Sequence, residues 1–250
     1  MFQNIKKRAF TLAETLVTLG IIGVLAAMTI PNLVTNTTGA KYRSSFKKTL
    51  TTLNQAALMT QVQYDLDYST VSAYCNDDEV GHPDVDDSVC GLLGAALTGY
   101  SYLKMNRLST PSGVPYAVNG PVGVQVAVRD YLFLLPDGVI VFIPDEMVNC
   151  TLPVGTHLTK DILTTYAGLG AAEGDIGLRQ CLAYVDVNGV NPPNREVTCS
   201  NGVDTDFTPE TPCEVRNNNT DLSDVYPIVF HDTVVEPATN ASKYVLMSGK

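Results

Sequence analysis

Tryptophan is absent from this sequence, and histidine occurs only three times in 250 residues. His82, His157 and His231 stand far apart, and no G-x-S-x-G elbow, P-loop or H-E-x-x-H pair accompanies them. Catalysis needs a constellation of nucleophile, base and stabilising donors. None is visible, so the chain reads as a non-enzyme. No C-x-x-C pair occurs either, which removes the usual ligand spacing of structural zinc. Basic charge is scarce: 16 Lys and Arg face 26 Asp and Glu, a net charge of −10. That balance excludes a general nucleic-acid binder, which needs a basic face. Charged residues are only 17% against 45% hydrophobic, so the composition is not that of a disordered chain. Six cysteines are too thinly spread for a scaffold held by disulfides alone.

The few charges are segregated. Residues 1–9 carry Lys6, Lys7 and Arg8 and no acid. From Phe10 to Ala40 the one ionisable side chain is Glu14. Without the three leading cations the chain keeps 13 basic against 26 acidic residues, a net of −13. Residues 10–34, FTLAETLVTLGIIGVLAAMTIPNLV, are long enough to cross a bilayer as a helix, which takes about 20 apolar residues. A removable secretory signal fits poorly, because its apolar region is shorter and holds no acid. A plain membrane anchor gives Glu14 no purpose, and an intramembrane carboxylate costs a few kcal/mol.

The run Lys6-Lys7-Arg8-Ala9-Phe10-Thr11-Leu12-Ala13-Glu14 resembles the processing site of type IV prepilins and of the pseudopilins of type II secretion. The resemblance implies cleavage between Ala9 and Phe10 by prepilin peptidase and N-methylation of Phe10. It makes Glu14 the fifth residue of the mature chain. Ala9 stands where the family usually has Gly. Cleavage creates an ammonium at Phe10, about 6 Å along a helix from Glu14. Within one chain such a pair interacts only weakly at i,i+4. The resemblance implies pairing between staggered copies instead, so that Glu14 sets the register of subunit addition. Gly20, Gly23 and Pro31 are expected to break or bend the helix, since Pro removes a backbone bond.

Phe46, Leu50, Leu53 and Ala57 continue a helical stripe at i, i+4, i+7 and i+11, so residues 35–64 read as an amphipathic continuation of the membrane helix. Gly39 is a point where the join loosens. Residues 91–107 read as a short packed helix after an acidic loop at Asp77–Asp87. Strand signals follow at Val122–Val128, Tyr131–Leu135, Val139–Ile143, Cys181–Val187 and Tyr226–His231, with Lys243–Met247 as a last edge strand. Pro136-Asp137-Gly138 marks a hairpin turn. Thr156–Tyr166 reads as a short helix. Strands clustered after a helix predict an α+β fold with an antiparallel sheet. The resemblance gives that fold a form: a pilin-like spine packed on a globular head at 65–250.

Cys75, Cys90, Cys150, Cys181, Cys199 and Cys213 permit fifteen pairings, among which sequence does not choose. Closeness suggests Cys75–Cys90 and Cys199–Cys213, leaving Cys150–Cys181. Asp186-Val187-Asn188-Gly189 ends a strand on a strong turn signal. With Asn194 and Ser223-Asp224-Val225-Tyr226 it partly resembles a pattern of prepilin-type heads, D-x-N-G-x-x-x-P-N followed by G-x-D-x-F. Asp186, Asn188 and Asp224 are candidate calcium ligands, joined by Asp204, Asp206 and Asp221, because oxygen donors suit a hard cation. The full calcium-loop template is not matched, so a solvated turn is favoured and no cofactor is expected.

Lys6, Lys7 and Arg8 argue for a cytoplasmic N-terminus, yet Lys41, Arg43, Lys47 and Lys48 nearly balance them across the apolar segment. All six cysteines lie beyond it, and disulfides persist in oxidising compartments. The head is therefore expected outside the cytoplasm, and the resemblance implies an inner-membrane precursor. The resemblance makes it a subunit of a type IV pilus or pseudopilus, with copies of itself, related pilins, the peptidase and the assembly machinery as partners. A membrane-anchored binding module or adhesin that never polymerises is the alternative.

Overall fold

The computed structural model describes residues 11–76, 87–104, 131–144, 147–152, 181–200, 213–215 and 222–248. The expected strand at Val122–Val128, the helix at Thr156–Tyr166, most of the acidic loop, His82, His157, Ala9 and Phe10 lie outside these residues.

One helix dominates. Helix α1 runs from Leu12 to Tyr64, 53 residues or about 80 Å. Thr11 caps its start and Asp65 ends it in a left-handed conformation, φ 57°, its N–H bonded to the Gln61 carbonyl. The helix is continuous through Gly20, Gly23, Pro31 and Gly39, which corrects the expected break. A proline lacks one N–H, and the loss of one bond does not end a helix whose flanking turns are built from Leu, Ile, Val and Ala. Helix α2 (Val89–Ala96) follows, capped by Ser88. It ends sooner than expected, because the chain turns at Gly99, φ 71°, into strand β1 (Ser101–Lys104).

The remaining strands are β2 (Tyr131–Leu134), β3 (Ile140–Ile143), β4 (Leu182–Asp186), β5 (Val225–His231) and β6 (Val234–Pro237). They form one six-stranded sheet in chain order, every neighbouring pair antiparallel. The β2–β3 hairpin turns at Pro136-Asp137-Gly138, with Gly138 at φ 84°. Lys243–Met247 is not an edge strand. Helix α3 (Asn240–Met247) occupies that stretch, started by Thr239, whose hydroxyl accepts the Ser242 N–H at 3.2 Å. Ala241, Ser242 and Val245 are its buried residues, a helical spacing of i, i+1, i+4.

Side-chain alternation puts Tyr226, Ile228 and Phe230 on one face of β5. Phe46 of α1 stacks on Tyr226 at 4.4 Å between ring centroids, and Tyr68 meets Phe230 edge-on at 4.9 Å. The register carries this face across the sheet through Val185, Val141 and Phe133. The stripe of Tyr42, Phe46, Leu50, Leu53, Ala56 and Ala57 is buried against the head. Asn54 pins α1 to the edge strand: its Nδ2 donates to the Val235 carbonyl at 2.7 Å and its Oδ1 accepts the Val235 N–H at 3.0 Å. Disulfides close Cys75–Cys90, Cys150–Cys181 and Cys199–Cys213, with Cα separations of 5.4, 5.7 and 5.2 Å. Each lies within the span a bridge needs.

Candidate functional site

The first third of α1 packs against none of the described residues of the head. Leu12–Ile30 is a 19-residue span long and apolar enough to cross a membrane, and none of it is buried. Leu12, Leu16, Leu19, Ile22, Leu25 and Met28 all stand exposed. Burying such a side chain is worth about 1.5–3 kcal/mol, so this rod calls for lipid or for other helices around it. Its polar side chains are satisfied internally. Thr15 donates to the Leu12 carbonyl at 2.8 Å, Thr18 to Glu14 at 2.9 Å and Thr29 to Leu25 at 2.9 Å.

Glu14 takes part in the same economy of donors. Its Oε2 accepts the Thr11 N–H at 2.8 Å and the Thr11 hydroxyl at 2.9 Å, while the Glu14 N–H returns to Thr11 Oγ1 at 3.3 Å. This reciprocal capping box ties two otherwise orphaned backbone donors at the helix start. The carboxylate also sits in the first turn, where the helix dipole favours negative charge. Both donors converge on Oε2. No bond from the described residues reaches Oε1. Thr11 is the residue sequence reasoning missed; the signal was the T-x-x-E spacing itself.

Further up the helix, two of the cations after the apolar segment find partners in the head. Lys48 Nζ meets Asp137 Oδ2 at 2.9 Å, and Lys47 Nζ donates to the Ser248 carbonyl at 3.4 Å. Their place on the head side of the span follows from these contacts as much as from any rule of topology.

The second cluster lies where β4 ends and β5 begins. Both halves of the partial head pattern meet there. Asp224 is fully buried; its Oδ1 accepts the Arg195 N–H at 2.7 Å and its Oδ2 the Asn194 N–H at 3.1 Å. Asp186, also fully buried, accepts the Asn188 N–H on Oδ1 at 2.9 Å. Asn188 Nδ2 in turn donates to the carbonyls of Asn191 and Pro192. Burial pushes the Asp224 carboxyl up to about 6, against the hydrogen bonds from Arg195 and Asn194 that favour its charged form. Burial, with the nearby charges of Asp224 and Asp186, also raises the Tyr42 phenol. Of the calcium candidates, Asp186, Asn188 and Asp224 come together. Asp204, Asp206 and Asp221 lie outside the described residues. The Asp224 oxygens are committed to N–H donors, so this carboxylate works as a clasp on the 194–195 backbone.

Gly189 locks that clasp to the β2–β3 turn. It adopts φ 68°, and a Cβ there would lie 2.8 Å from the Gly138 carbonyl oxygen. Gly189→Ala is expected to lower head stability by about 1–3 kcal/mol, the usual cost of a strained backbone position. Denaturant unfolding of the full chain in detergent micelles, followed by tyrosine fluorescence, measures it.

His231 is the third site. It lies at the end of β5 with a carboxylate on each ring nitrogen, from Asp232 and Glu236. Among the described residues, no group of three or more His, Cys, Asp or Glu side chains is arranged to hold a metal ion.

Against known families, residues 4–30 match the model of the prokaryotic N-terminal methylation motif. The curated proteins and the solved structures gave no match. The matched segment contains Lys6, Lys7, Arg8, Phe10, Glu14 and the exposed rod through Ile30.

Proposed function

We propose that this chain, which carries the N-terminal methylation motif that is the hallmark of type IV prepilins and pseudopilins, is a structural subunit of a type IV pilus or pseudopilus. A 53-residue helix on a six-stranded antiparallel sheet is the α+β arrangement of a pilin-like fold. In this reading residues 1–9 are a leader, 10–34 the membrane and filament-core helix, 35–64 its amphipathic continuation, and 65–250 the extracytoplasmic head. Prepilin peptidase cleaves between Ala9 and Phe10 and methylates the new Phe10 amine. The subunit waits in the inner membrane and then polymerises through the rod with copies of itself or related pilins.

The observation that carries this reading is a matched N-terminal methylation motif on an apolar rod that the described residues of its own head leave uncovered. A membrane covers such a rod before assembly, and neighbouring rods cover it afterwards. The disulfides of the head suit an oxidising compartment, and the leader's three cations suit the cytoplasmic side. In the assembled state Glu14 Oε1, the oxygen that Thr11 leaves open, receives the Phe10 ammonium of an adjoining subunit. Work of this kind is mechanical, and the chain is proposed to do no catalysis of its own.

Intact mass and N-terminal sequencing of protein extracted from membranes test the processing step. The expected mature chain begins at Phe10 and is heavier by one methyl group. Any other starting residue overturns the assignment. An uncut, solitary chain favours a membrane-anchored binding module instead.

A further inference from the structure

The β5–β6 hairpin holds a charge arrangement that neither membrane anchoring nor polymerisation uses. His231 ends β5, Asp232 sits at the turn with φ 46°, and Glu236 lies in β6. The imidazole is nearly closed off, its side chain 8% exposed. Nδ1 lies 2.9 Å from Asp232 Oδ2, and Nε2 lies 2.9 Å from Glu236 Oε1. Ionised carboxylates only accept hydrogen bonds. Both contacts are therefore satisfied at once only when both ring nitrogens carry a proton. A neutral ring donates to one carboxylate and turns a lone pair on the other.

Much of the distal end of the head hangs on this turn. The Asp232 carbonyl accepts the Tyr68 N–H at 2.8 Å, just beyond the end of α1, and the Asp232 N–H donates to the Cys150 carbonyl at 2.8 Å. Asp232 Oδ2 also accepts the Leu152 N–H at 3.3 Å. Cys150, bridged to Cys181, donates its own N–H to the Tyr68 carbonyl at 3.0 Å. Asp232 is thus held from three sides. Glu236 is held less firmly: it lies on an edge strand, with its side chain 38% exposed.

We propose that His231, Asp232 and Glu236 form a proton-operated latch, closed on the edge strand β6 when the ring carries both protons and released at Glu236 when it loses one. On loss of the proton the remaining N–H stays with Asp232, and Glu236 turns to water. Among the described residues, the charges acting on the ring come from its own hairpin. Of the elements packed around it, the segment 147–152 brings no charged side chain, and β4 brings only Asp186 at its far end. The loop after α1 brings Asp65 and Asp67, and Asp67 Oδ1 is taken up by the Ser69 and Thr70 N–H groups.

Burial disfavours the charged ring, but the hydrogen bonds and charges of Glu236 and Asp232 outweigh it and raise the His231 pKa above its ordinary 6.5. A group raised on folding contributes its stabilisation fully below the unfolded value and loses it as pH rises through the folded one. The latch is therefore shut in mildly acidic surroundings and opens on the alkaline side. It does not depend on the filament reading.

Hydrogen exchange of the full chain in detergent micelles, corrected for the intrinsic base-catalysed rate, reads the latch locally. Protection of the Val234, Val235 and Glu236 amides is expected to fall between about pH 5.5 and about pH 9, by roughly tenfold for each unit the ring's pKa is raised. Strand β3 reports whether the head remains folded and serves as the internal reference for any titration that moves the whole sheet. In His231→Gln the β6 response relative to β3 is expected to vanish. In Glu236→Gln it shrinks and moves to lower pH, because one of the two charges favouring the proton is gone. A flat profile in the natural chain, or a response that survives in His231→Gln, overturns the latch.

Discussion

Glu14→Ala is expected to insert in the membrane and fold its head normally, yet to form no filaments. Insertion survives because Glu14 is the least lipid-compatible side chain of the span; a charged side chain costs about 2.5–3.5 kcal/mol at a bilayer centre, and removing Glu14, three residues into Leu12–Ile30, relieves a smaller cost of the same sign. The head survives because no described head residue touches the Leu12–Ile30 segment, none of which is buried. On the proposed filament reading assembly fails, because the ammonium that cleavage would create at Phe10 would enter the packed core of rods without a counter-charge, and an unpaired buried charge costs several kcal/mol. Glu14→Gln separates two roles that alanine removes together. Glutamine keeps the capping box with Thr11 but carries no charge. If charge pairing between subunits governs addition, Gln fails as Ala does. Filaments of normal number and length from Glu14→Gln, counted by electron microscopy, would show that the helix cap is the carboxylate's whole contribution.

The same residue shows how unevenly the sequence revealed its structure. Glu14 was legible because an acid inside an apolar run is rare enough to need a reason. Thr11 passed unnoticed, although its partner three residues on spells a capping box. The amphipathic stripe Phe46, Leu50, Leu53 and Ala57 was readable from its period and is buried as expected. Strands β2 and β3 were readable because a Pro-Asp-Gly turn separates two apolar runs. Strand β6 was not, because Val-Val-Glu-Pro is too short to show a period and its pairing is fixed by the Asp232 turn and by Asn54, 181 residues away in sequence. Lys243–Met247 was misread because Lys-Tyr-Val-Leu-Met alternates well enough for a strand, while the deciding signal, the Thr239 cap, stands four residues earlier. The His231 cluster was invisible for a related reason. Positions 231, 232 and 236 meet only once the hairpin register is known. Proline and glycine misled in the opposite direction: Gly20, Gly23 and Pro31 read as a break, and the helix runs through all three.

Asp224 is the head residue whose loss is expected to cost most, and acid is expected to stabilise the clasp it forms. Asp224→Ala leaves the Asn194 and Arg195 N–H groups buried without acceptors. At about 1–3 kcal/mol for each orphaned donor, a loss of about 2–6 kcal/mol follows, offset in part by removal of a buried charge. The pH dependence has a definite sign. The folded pKa, about 6, lies above the ordinary 3.8, so the folded head binds the proton more tightly than the unfolded chain. Stability therefore rises as pH falls through about 6 and levels off below about 4, a gain of order 3 kcal/mol at 1.36 kcal/mol per unit. His231 points the same way over a higher range, because its pKa is also raised on folding. Denaturant midpoints of the full chain in micelles are expected to climb from pH 8 to pH 5, the reverse of the usual acid weakening of paired carboxylates. In Asp224→Asn the part of that climb below about pH 7 disappears, while the part governed by His231 remains. A midpoint that falls steadily with acid in the natural chain would mean that the N–H donors around Asp224 outweigh its burial.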